Sequence, residues 1–511
     1  MKNVLEYLEN TALKYPDKKG AVDDKEECSY EQLLLISQAL GIRLSKEMLK
    51  GRGVAVLQKK SVKTLQLFMG TVYAGGFYSL IDPDFPDQRI TDMLSVLKPA
   101  VVITASQQVE RLKNAGYEGK ILIAEELFED VKNDLTGDGQ HILPETLSEI
   151  RKKHDPDMPL YCNFTSGSTG VPKGVLVSHG SVIGFIDEFT ELFDITGEDV
   201  IGNQAPFDFD VSIKDIFSAL KTGATLIIIP TAFFRFPNSV MDMLCDHGVT
   251  TLIWAVSALV LINRLHEFMY KVPPKINKVL FSGEQMPVKH LCDWMDQYPD
   301  ASFVNLYGPT EITCNCTYYR ITERPDPEKG IPIGTAYPGK QIYLLDDEDG
   351  IIDAGTQEKE GELCVTGAGL AIGYYNNSEA TDKAFIYYDI PGKGKERMYR
   401  TGDLAFYRDG LLYFAGRKDF QIKHNGHRIE LEEIERHVNS VEGVEQSCCL
   451  YDEKRYRITV FYVGSAGKKE IVASLKGRLP EYMIPSAFKQ VESFSLTKNG
   501  KTDRRALAAL L

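Results

Sequence analysis

The sequence lacks several features on which large classes of proteins depend. Its 58 basic residues are outnumbered by 72 acidic residues, and the formal net charge is −14. Proteins that bind nucleic acid or anionic membranes usually carry the opposite sign. The longest apolar stretch, TLIWAVSALVLI at residues 251–262, is well short of the ~20 residues that a membrane span requires. We therefore expect no nucleic-acid partner and no membrane insertion.

The nine cysteines follow no metal-binding or disulfide pattern. The two close pairs, Cys314 with Cys316 and Cys448 with Cys449, lack the second CxxC or HxxxH half of a zinc site. We expect reduced, mostly buried thiols. The first twenty residues, MKNVLEYLENTALKYPDKKG, predict an amphipathic helix and have neither the apolar region nor the cleavage site of a secretory signal. These features favour a cytoplasmic protein.

Strand-like and helix-like patterns alternate along most of the chain. Short apolar runs of the kind that form strands occur at residues 54–57, 78–81, 100–104, 121–124, 225–229, 250–254 and 278–283. Amphipathic helical patterns lie between them, as in VKTLQLFMGTVYAG. Strands separated by helices at this spacing predict parallel sheets covered by helices.

The pattern changes in the last third of the chain. Beyond Gly334, short strands with turn signals predict a smaller antiparallel β unit. From about Phe420 the segment GHRIELEEIERHVNS predicts a helix that opens a compact final unit. The sequence thus predicts an α/β protein with a large N-terminal body of helix-covered mixed sheets plus a small β subdomain, residues 1–418. A small mobile α+β domain follows at residues 419–511.

A glycine- and hydroxyl-rich segment, NFTSGSTGVPKG at residues 163–174, carries the clearest chemical signal. Glycines allow the positive φ angles that point successive N–H groups inward, and hydroxyls add donors, so such a loop forms a phosphate nest. Lys173 supplies a cation at its rim. The segment is not a Walker A loop, in which lysine follows glycine directly. A flexible linker is disfavoured, because linkers seldom end in a Pro-Lys-Gly turn between two strand-like runs. The residues of the nest are Thr165, Ser166, Gly167, Ser168, Thr169 and Gly170.

Four further motifs follow in a fixed order: NLYGPTE at residues 305–311, YRTGDL at 399–404, GRKDFQIKHNGHRIE at 416–430 and LTKNGKTDR at 496–504. With SYEQL and YAGGFYSLIDPDFPDQRI near the start, the chain resembles the adenylate-forming (AMP-binding) superfamily almost from end to end. Within it the chain is similar to the amino-acid-activating branch. That branch comprises the adenylation domains of nonribosomal peptide synthetases and the stand-alone D-alanine–carrier protein ligases.

The resemblance implies a reaction in two steps that uses ATP and Mg²⁺. An amino-acid carboxylate attacks the α-phosphate of ATP to give aminoacyl-AMP and pyrophosphate. The aminoacyl group then passes to the phosphopantetheine thiol of a carrier protein. A carboxylate is already ionised at neutral pH, so the first step needs no general base. This agrees with the absence of a Ser-His-Asp-like arrangement around any of the nine histidines.

The same resemblance assigns roles around the nucleotide. The 165–170 loop would hold the β- and γ-phosphates, Glu311 would bind Mg²⁺, and Thr310 would reach the α-phosphate. Four other residues would bind the nucleoside part of ATP: Asp403 the ribose hydroxyls, Tyr307 the adenine face, Asn305 the exocyclic amine, and Arg417 a further atom of the nucleotide. Lys501 would neutralise transition-state charge, Asp419 would be the hinge and Gly426 would line the thiol's path in the second conformation.

The segment APFDFDVSIKDIF would carry the amino-acid pocket, with Asp210 pairing with the α-ammonium. The implied pocket walls are Val211, Lys214, Ile253, Leu280, Ser282, Leu306, Cys314 and Asn315. Ser282 and Lys214 depart from the D-alanine ligases, which have cysteine and smaller apolar residues there. Lys214 is compatible with an acidic substrate side chain or with snorkelling to solvent. Ser282 and Asn315 could bond a polar substrate or each other, so D-alanine and other small amino acids remain open.

Three functions compete at this point. An amino-acid ligase would need its carrier from a separate protein, because no GGxS-type attachment serine occurs in the chain. An acyl-CoA synthetase would use the same adenylate with CoA as acceptor, but Asp210 disfavours it. A non-catalytic nucleotide-binding protein would have no reason to keep Glu311, Asp403 and Lys501 together. GAGLAIG, a weak dinucleotide fingerprint, is interpreted as a turn because no helix with an acidic partner follows it.

Overall fold

The structure is a computed structural model and describes residues 1–136, 145–167, 170–452, 455–495 and 502–511. Its helices are α1 (Leu5–Lys14), α2 (Tyr30–Ser45), α3 (Val62–Tyr73), α4 (Asp87–Leu97), α5 (Val109–Asn114), α6 (Ala124–Thr136), α7 (Glu145–Lys152), α8 (His179–Leu192), α9 (Val211–Thr222), α10 (Pro237–Asp246), α11 (Val256–Arg264), α12 (Val288–Gln297), α13 (Ser378–Ala384), α14 (Leu431–Asn439), α15 (Lys468–Lys476) and α16 (Arg504–Ala508). Among the described residues, no helix is both long enough and apolar enough to cross a membrane.

The strands are β1 (Lys19–Val22), β2 (Glu27–Ser29), β3 (Gly53–Leu57), β4 (Phe77–Ile81), β5 (Val101–Thr104), β6 (Ile121–Ile123), β7 (Pro159–Thr165), β8 (Lys173–Ser178), β9 (Val200–Asn203), β10 (Thr225–Ile228), β11 (Thr251–Ala255), β12 (Lys278–Ser282), β13 (Ser302–Tyr307), β14 (Thr317–Ile321), β15 (Thr335–Ala336), β16 (Lys340–Leu345), β17 (Ile351–Ile352), β18 (Gly361–Gly367), β19 (Gly373–Tyr374), β20 (Phe385–Ile390), β21 (Gly394–Arg408), β22 (Leu411–Arg417), β23 (Gln421–His424), β24 (His427–Glu430), β25 (Val444–Asp452), β26 (Arg457–Gly464) and β27 (Ala487–Gln490).

Two mixed sheets form the N-terminal body. One has the order β15-β14-β13-β12-β11-β9-β10-β1-β2 and the other β19-β8-β7-β4-β3-β5-β6. Strands β13 to β1 of the first sheet and β7 to β6 of the second run parallel, whereas the outer strands pair antiparallel. Every residue of β3, β4 and β11 is buried, as expected for strands covered by helices on both faces. The predicted α/β class with mixed, helix-covered sheets is confirmed.

The apolar stretch 251–262 shows how the chain divides a uniform run. Its first part is strand β11, which contains the aromatic and β-branched residues Trp254 and Ile253. Its second part is helix α11, and the change occurs at Ala255, whose backbone is still extended. Aromatic and β-branched side chains suit the pleated surface of a sheet, and this composition favours the strand in the first half.

A third sheet is antiparallel throughout, with the order β17-β16-β18-β21-β20 and β22 paired to β21. It corresponds to the small β unit predicted beyond Gly334. All nine cysteines are unpaired and seven of them are buried.

The final unit contains the hairpin β23–β24, the three-stranded sheet β25-β26-β27 and the helices α14 and α15. Its own apolar core includes Ile434, Val460, Ile471 and Leu475. The prediction that GHRIELEEIERHVNS is helical from its start was wrong, because its first residues form β24 and helix α14 begins only at Leu431. The reason is the Asn-Gly turn before it: Asn425 and Gly426 both have positive φ, which favours a two-residue hairpin.

Candidate active site

The main cavity lies where segments far apart in sequence meet at the ends of parallel strands. It is lined by the end of β7, the start of α9, the residues that follow β12 and β13, and the hairpin β23–β24. Ligand sites in α/β proteins form at the carboxyl ends of parallel strands, because the loops that leave neighbouring strands converge there. The lining includes Thr165, Ser166, Asp210, Val211, Ser282, Thr310, Cys314, Asn315, Asp403, Arg417, Lys423 and Arg428.

The described part of the glycine- and hydroxyl-rich loop contacts the C-terminal unit. The Ser166 hydroxyl donates to the carbonyl of Arg428 at 2.9 Å and accepts the N–H of Glu430 at 3.2 Å. Arg436 donates to the carbonyl of Gly167 at 3.2 Å. Gly170 has φ of +87° and donates its N–H to Gly167. The predicted Ser168 and Thr169 lie outside the described residues.

Lys173, the predicted rim cation, is the first residue of β8. Its ammonium lies 5.4 Å from the centre of the Tyr374 ring. The Tyr374 hydroxyl in turn donates to Glu311 at 2.7 Å. A single tyrosine therefore connects the rim of the loop to the predicted magnesium ligand.

Glu311 is fully buried and ionised. Arg428 donates to both of its carboxylate oxygens at 2.9 Å. Burial alone would raise the pKa of Glu311, but the Arg428 guanidinium and the Tyr374 hydroxyl outweigh it and hold the pKa below its usual value. A carboxylate held beside Arg428, which lines the cavity, can bind a hard cation together with phosphate oxygens.

Asp210 is the residue that precedes α9, and its side chain hydrogen-bonds with that of Thr310. Burial raises the pKa of Asp210, and the Lys214 ammonium and Thr310 oppose this effect. The Cys314 thiol donates to the Asp210 carbonyl at 3.0 Å. Asp210 and Thr310 are thus brought together in the wall of the main cavity.

Asp403 accepts two hydrogen bonds, one from the Tyr307 hydroxyl and one from Arg417. Arg417 also donates to both carboxylate oxygens of Asp419, at 2.6 and 2.7 Å. The predicted ribose ligand and the predicted hinge residue therefore share one guanidinium. A change of backbone angle at Asp419 would move Arg417 and so alter the hydrogen bond that Arg417 donates to Asp403.

A second cavity adjoins the first and is lined by Asn305, Leu306, Tyr307, Phe414 and Lys423, among others. The Asn305 side-chain N–H donates to the carbonyl of Pro332 at 2.9 Å. Across the described residues, the Oδ1 of Asn305 receives no hydrogen bond, so it can accept one from an amine.

The predicted pocket walls divide into three groups. Val211, Ser282, Cys314 and Asn315 line the main cavity, and Leu306 lines the second one. Ile253 and Leu280 are core residues of β11 and β12 that line neither cavity. Lys214 has no exposed surface, and its ammonium donates to Ser282 Oγ at 3.3 Å and to Asn315 Oδ1 at 3.0 Å. Lys214 does not extend to solvent, and Ser282 and Asn315 both accept hydrogen bonds from its ammonium rather than bonding each other.

Sequence reasoning missed the contacts that the C-terminal hairpin makes with the body. Arg428 binds Glu311, and Lys423 lies 5.4 Å from the centre of the Tyr307 ring. The N–H of Gly426 donates to Glu284 at 3.0 Å. The signal for this hairpin is the Asn-Gly pair in KHNGHR. The predicted Lys501 lies outside the described residues.

These features, with three sheets and a small final unit over a cavity lined by carboxylates, define an enzyme of the adenylate-forming class. The chain belongs to the AMP-binding enzyme family, which residues 8–375 match, and residues 433–501 match the C-terminal domain of AMP-binding enzymes. The resemblance predicted from the motifs is confirmed. The predicted boundary between residues 418 and 419 stays a prediction.

Relatives of two kinds match nearly the whole chain. Bacitracin synthase 1 of Bacillus licheniformis is 33% identical over 99% of this chain, which corresponds to 9% of the length of that synthase. The D-alanine–D-alanyl carrier protein ligase of Bacillus anthracis is 31% identical over 99% of this chain and 98% of its own. The chain is therefore as long as the second relative and a small fraction of the first.

Solved structures share the fold. The Vibrio cholerae adenylation domain AlmE, in complex with glycyl-adenosine-5′-phosphate, superposes with a TM-score of 0.84 over 100% of this chain and 98% of its own, at 21% identity. A nonribosomal peptide synthetase protein with adenylation and carrier domains has a TM-score of 0.82 over 100% of this chain and 84% of its own, at 24% identity.

Proposed function

We propose that this chain activates an α-amino acid with ATP as an aminoacyl-adenylate and then transfers the aminoacyl group to the phosphopantetheine thiol of a separate carrier protein. The observation that carries the proposal is that Asp210 and Asp403 line the main cavity, while the buried Glu311 is bound by Arg428, another residue of that lining. Asp210 suits the α-ammonium of the amino acid, Glu311 a divalent cation and Asp403 the ribose of the nucleotide.

In the first step, the residues bind and align two anions. Asp403 accepts the ribose hydroxyls, Asn305 accepts from the adenine amine, and the loop that begins at Thr165 donates to the phosphates. Asp210 holds the α-ammonium and thereby aims the carboxylate at the α-phosphate. Alignment of this kind, with neutralisation of phosphate charge, accounts for most of the catalysis of phosphoryl and nucleotidyl transfer.

Glu311 is the residue that fits Mg²⁺. A magnesium ion bound with ATP needs only one or two protein carboxylates, because phosphate oxygens and water supply the other ligands. This agrees with the described residues, among which no three histidine, cysteine or acidic side chains cluster as a metal cage. Bound there, Mg²⁺ would neutralise charge on the phosphates.

The Arg428–Glu311 ion pair supports a second working orientation of the C-terminal unit. Arg428 donates to both carboxylate oxygens of Glu311, the residue that would hold Mg²⁺. An orientation in which Arg428 engages Glu311 would therefore suit the transfer step rather than adenylate formation. In that orientation Gly426, whose added Cβ would lie 3.3 Å from Ala255 Cβ, keeps a narrow passage open for a thiol.

CoA and a carrier protein present the same phosphopantetheine thiol, so the transfer chemistry is the same for both acceptors. This function differs from that of an acyl-CoA synthetase only in the substrate and in the molecule that carries the thiol. Asp210 favours an amino-acid substrate. The relative named D-alanine–D-alanyl carrier protein ligase favours a carrier protein as acceptor.

Amino-acid-dependent exchange of pyrophosphate into ATP tests the first step, with all proteinogenic amino acids and D-alanine as substrates. We expect exchange with at least one of them, and Asp210→Ala should abolish it while ATP binding stays near the wild-type level. Asp187→Asn, at a half-exposed residue of α8 that lines neither cavity, is the control. Thioester formation with a phosphopantetheinylated carrier protein or with CoA then identifies the acceptor. No exchange with any amino acid would refute the proposal.

A further inference from the structure

A buried ammonium lies directly behind the wall of the main cavity. Lys214 is on α9, one helical turn after Asp210, and has no exposed surface. Its two hydrogen-bond acceptors, Ser282 and Asn315, both line the cavity. The cation is therefore one side chain away from any molecule that occupies this end of the pocket.

This ammonium is incompletely paired in the part of the chain that the structure describes. Its two acceptors are neutral, no carboxylate lies within 4.0 Å, and one of its three N–H donors has no partner. Lys60 provides a contrast, since its buried ammonium contacts four oxygens of residues 203–205. Buried charges normally have an ionic partner or a full set of hydrogen bonds, because removing a charge from water is costly.

The charges in the pocket indicate the missing partner. Two carboxylates, Asp215 and Asp210, favour the charged form of Lys214 against the effect of its burial. Asp215 accepts a hydrogen bond from Asn203, whereas Asp210 lines the cavity and compensates the Lys214 charge from the substrate side. When the α-ammonium of an amino acid pairs with Asp210, that compensation is lost. The α-carboxylate cannot replace it, because it becomes the neutral acyl group of the adenylate. A substrate side chain that is an anion would replace the compensation that Asp210 gave.

Building on the proposed function, we infer that the substrate is an α-amino acid with a carboxylate in its side chain, and that Lys214, Ser282 and Asn315 form the receptor for that carboxylate. Three donors converge there: the spare N–H of Lys214, the Ser282 hydroxyl and the Asn315 amide N–H. The distance of one helical turn between Asp210 and Lys214, about 5–6 Å, suits a side chain with one or two methylenes.

The receptor distinguishes ligands of equal size. Aspartate and asparagine have nearly the same volume, as do glutamate and glutamine, but only the acids compensate the Lys214 charge. A basic side chain would add a second cation. Substrate selection at this end of the pocket is therefore by charge, with Lys214 as the specificity-determining residue.

Pyrophosphate exchange with the full chain tests the inference through paired substrates. We compare aspartate with asparagine and glutamate with glutamine, in both enantiomers, with alanine as a neutral reference. One of the acids should exceed its amide in kcat/KM by at least about 100-fold, because a site with polar groups built for a ligand rejects the analogue that leaves them unpaired. A preference for an amide, a neutral or a basic amino acid would overturn the inference.

Two variants test whether Lys214 is the cause. Lys214→Met should lower the acid-to-amide ratio at least about 10-fold. Asn315→Asp keeps the lysine but gives it a carboxylate of the protein, so it should move preference towards neutral substrates and remains informative if Lys214→Met does not fold. Lys221→Met, on the same helix but outside the cavity, should leave the ratio unchanged. An unchanged ratio in Asn315→Asp, or in a folded Lys214→Met, would overturn the inference.

The outcomes separate this inference from the proposed function. Exchange with neutral or basic amino acids alone would leave amino-acid activation standing and refute the acidic side chain. Exchange with no amino acid would refute both.

Discussion

At the residue scale, Glu311 accepts hydrogen bonds from both the body and the C-terminal unit. It is bound by Arg428 from the C-terminal unit and by Tyr374 from the body. Two hydrogen bonds from one guanidinium nitrogen to an ionised carboxylate are strong, and burial strengthens them further. The Arg428–Glu311 ion pair therefore forms only in an orientation of the C-terminal unit that brings Arg428 to the body.

We therefore expect Arg428→Met to impair aminoacyl transfer more than adenylate formation. Without the guanidinium, Glu311 remains available to Mg²⁺, but the orientation for thiol attack loses a buried ion pair. The rate of carrier loading from a preformed adenylate should fall at least about 10-fold, the amount that one charged hydrogen bond supports. Pyrophosphate exchange should change by less than about 3-fold.

Arg455→Met is the control for this experiment, because it removes an arginine of the same unit that is 57% exposed and pairs with Asp452 rather than with Glu311. Equal losses of loading and exchange in Arg428→Met would contradict the assignment of this ion pair to the transfer step.

At the scale of elements, α4 of the body and α14 of the C-terminal unit are joined by the Arg89–Glu433 ion pair. The two atoms are 2.8 Å apart, and the side chains are only 6% and 1% exposed. Breaking a buried pair by removing one partner leaves the other charge uncompensated, whereas replacing both with apolar groups is often tolerated. This pair therefore stabilises the contact between the two helices.

We predict that Arg89→Met weakens the contact between body and C-terminal unit by about 3 kcal/mol and that Arg89→Met/Glu433→Leu recovers much of this loss. A double-mutant cycle on aminoacyl transfer and on protease sensitivity of residues near Asp419 measures the coupling. Removal of the exposed Lys19–Glu27 pair should cost less than about 1 kcal/mol. A coupling energy near zero would contradict the prediction.

A second pair of elements, the end of α7 and the start of α8, is sensitive to pH. Burial lowers the pKa of His154 to about 4 and that of His179 to about 3, and repulsion from Arg151 adds to the effect. Their rings lie 5.9 Å apart. Because the unfolded chain binds these protons at an ordinary pKa near 6.5, acid favours the unfolded state.

The fold should therefore be fully stable above pH ~6.5 and lose stability as the pH falls towards 4. For His179 alone the loss between pH 7.5 and pH 5.0 amounts to about 2 kcal/mol. Urea unfolding at these two pH values should show a smaller decrease for His179→Gln than for the wild-type chain. An identical decrease in both would show that His179 is not responsible.

At the scale of the whole molecule, the proposed function requires the small unit to supply different residues to one cavity in its two steps. In the structure, hairpin β23–β24 lines the cavity, Arg428 donates to Glu311 and the N–H of Gly426 donates to Glu284. The family motif assigns the first stage to Lys501, near the end of the chain. Domain rotation of this kind gates many enzymes and commonly limits their rates.

Lys501→Ala should abolish adenylate formation and spare transfer from a preformed adenylate within about 3-fold, because in the proposed mechanism only the first step places this lysine at the phosphate. Pyrophosphate exchange and carrier loading measure the two steps separately. Lys489→Ala, on β27 of the same unit, is the control. Equal loss of both activities would refute the role of Lys501.

The fold class and much of the chemistry could be predicted from the sequence because they depend on local order. Alternation of apolar runs and helices determines a sheet covered by helices, and consecutive glycines and hydroxyls in 163–174 determine a donor-rich loop. The start of α14 was missed, since the hairpin before it depends on two positive φ angles at Asn425 and Gly426 rather than on apolar periodicity.

The amino-acid sequence by itself determined which functional groups are available, because composition and short motifs can be identified without knowing how the chain folds. Only the tertiary structure decided which groups meet. Asp403 lies 96 residues from Tyr307 yet accepts its hydroxyl, and Arg428 crosses 117 residues to reach Glu311. The direction in which the Lys214 side chain points was also decided by the tertiary structure, because a long side chain extends to solvent or into the interior according to what packs around it. Here that packing places its charge beside Ser282 and Asn315.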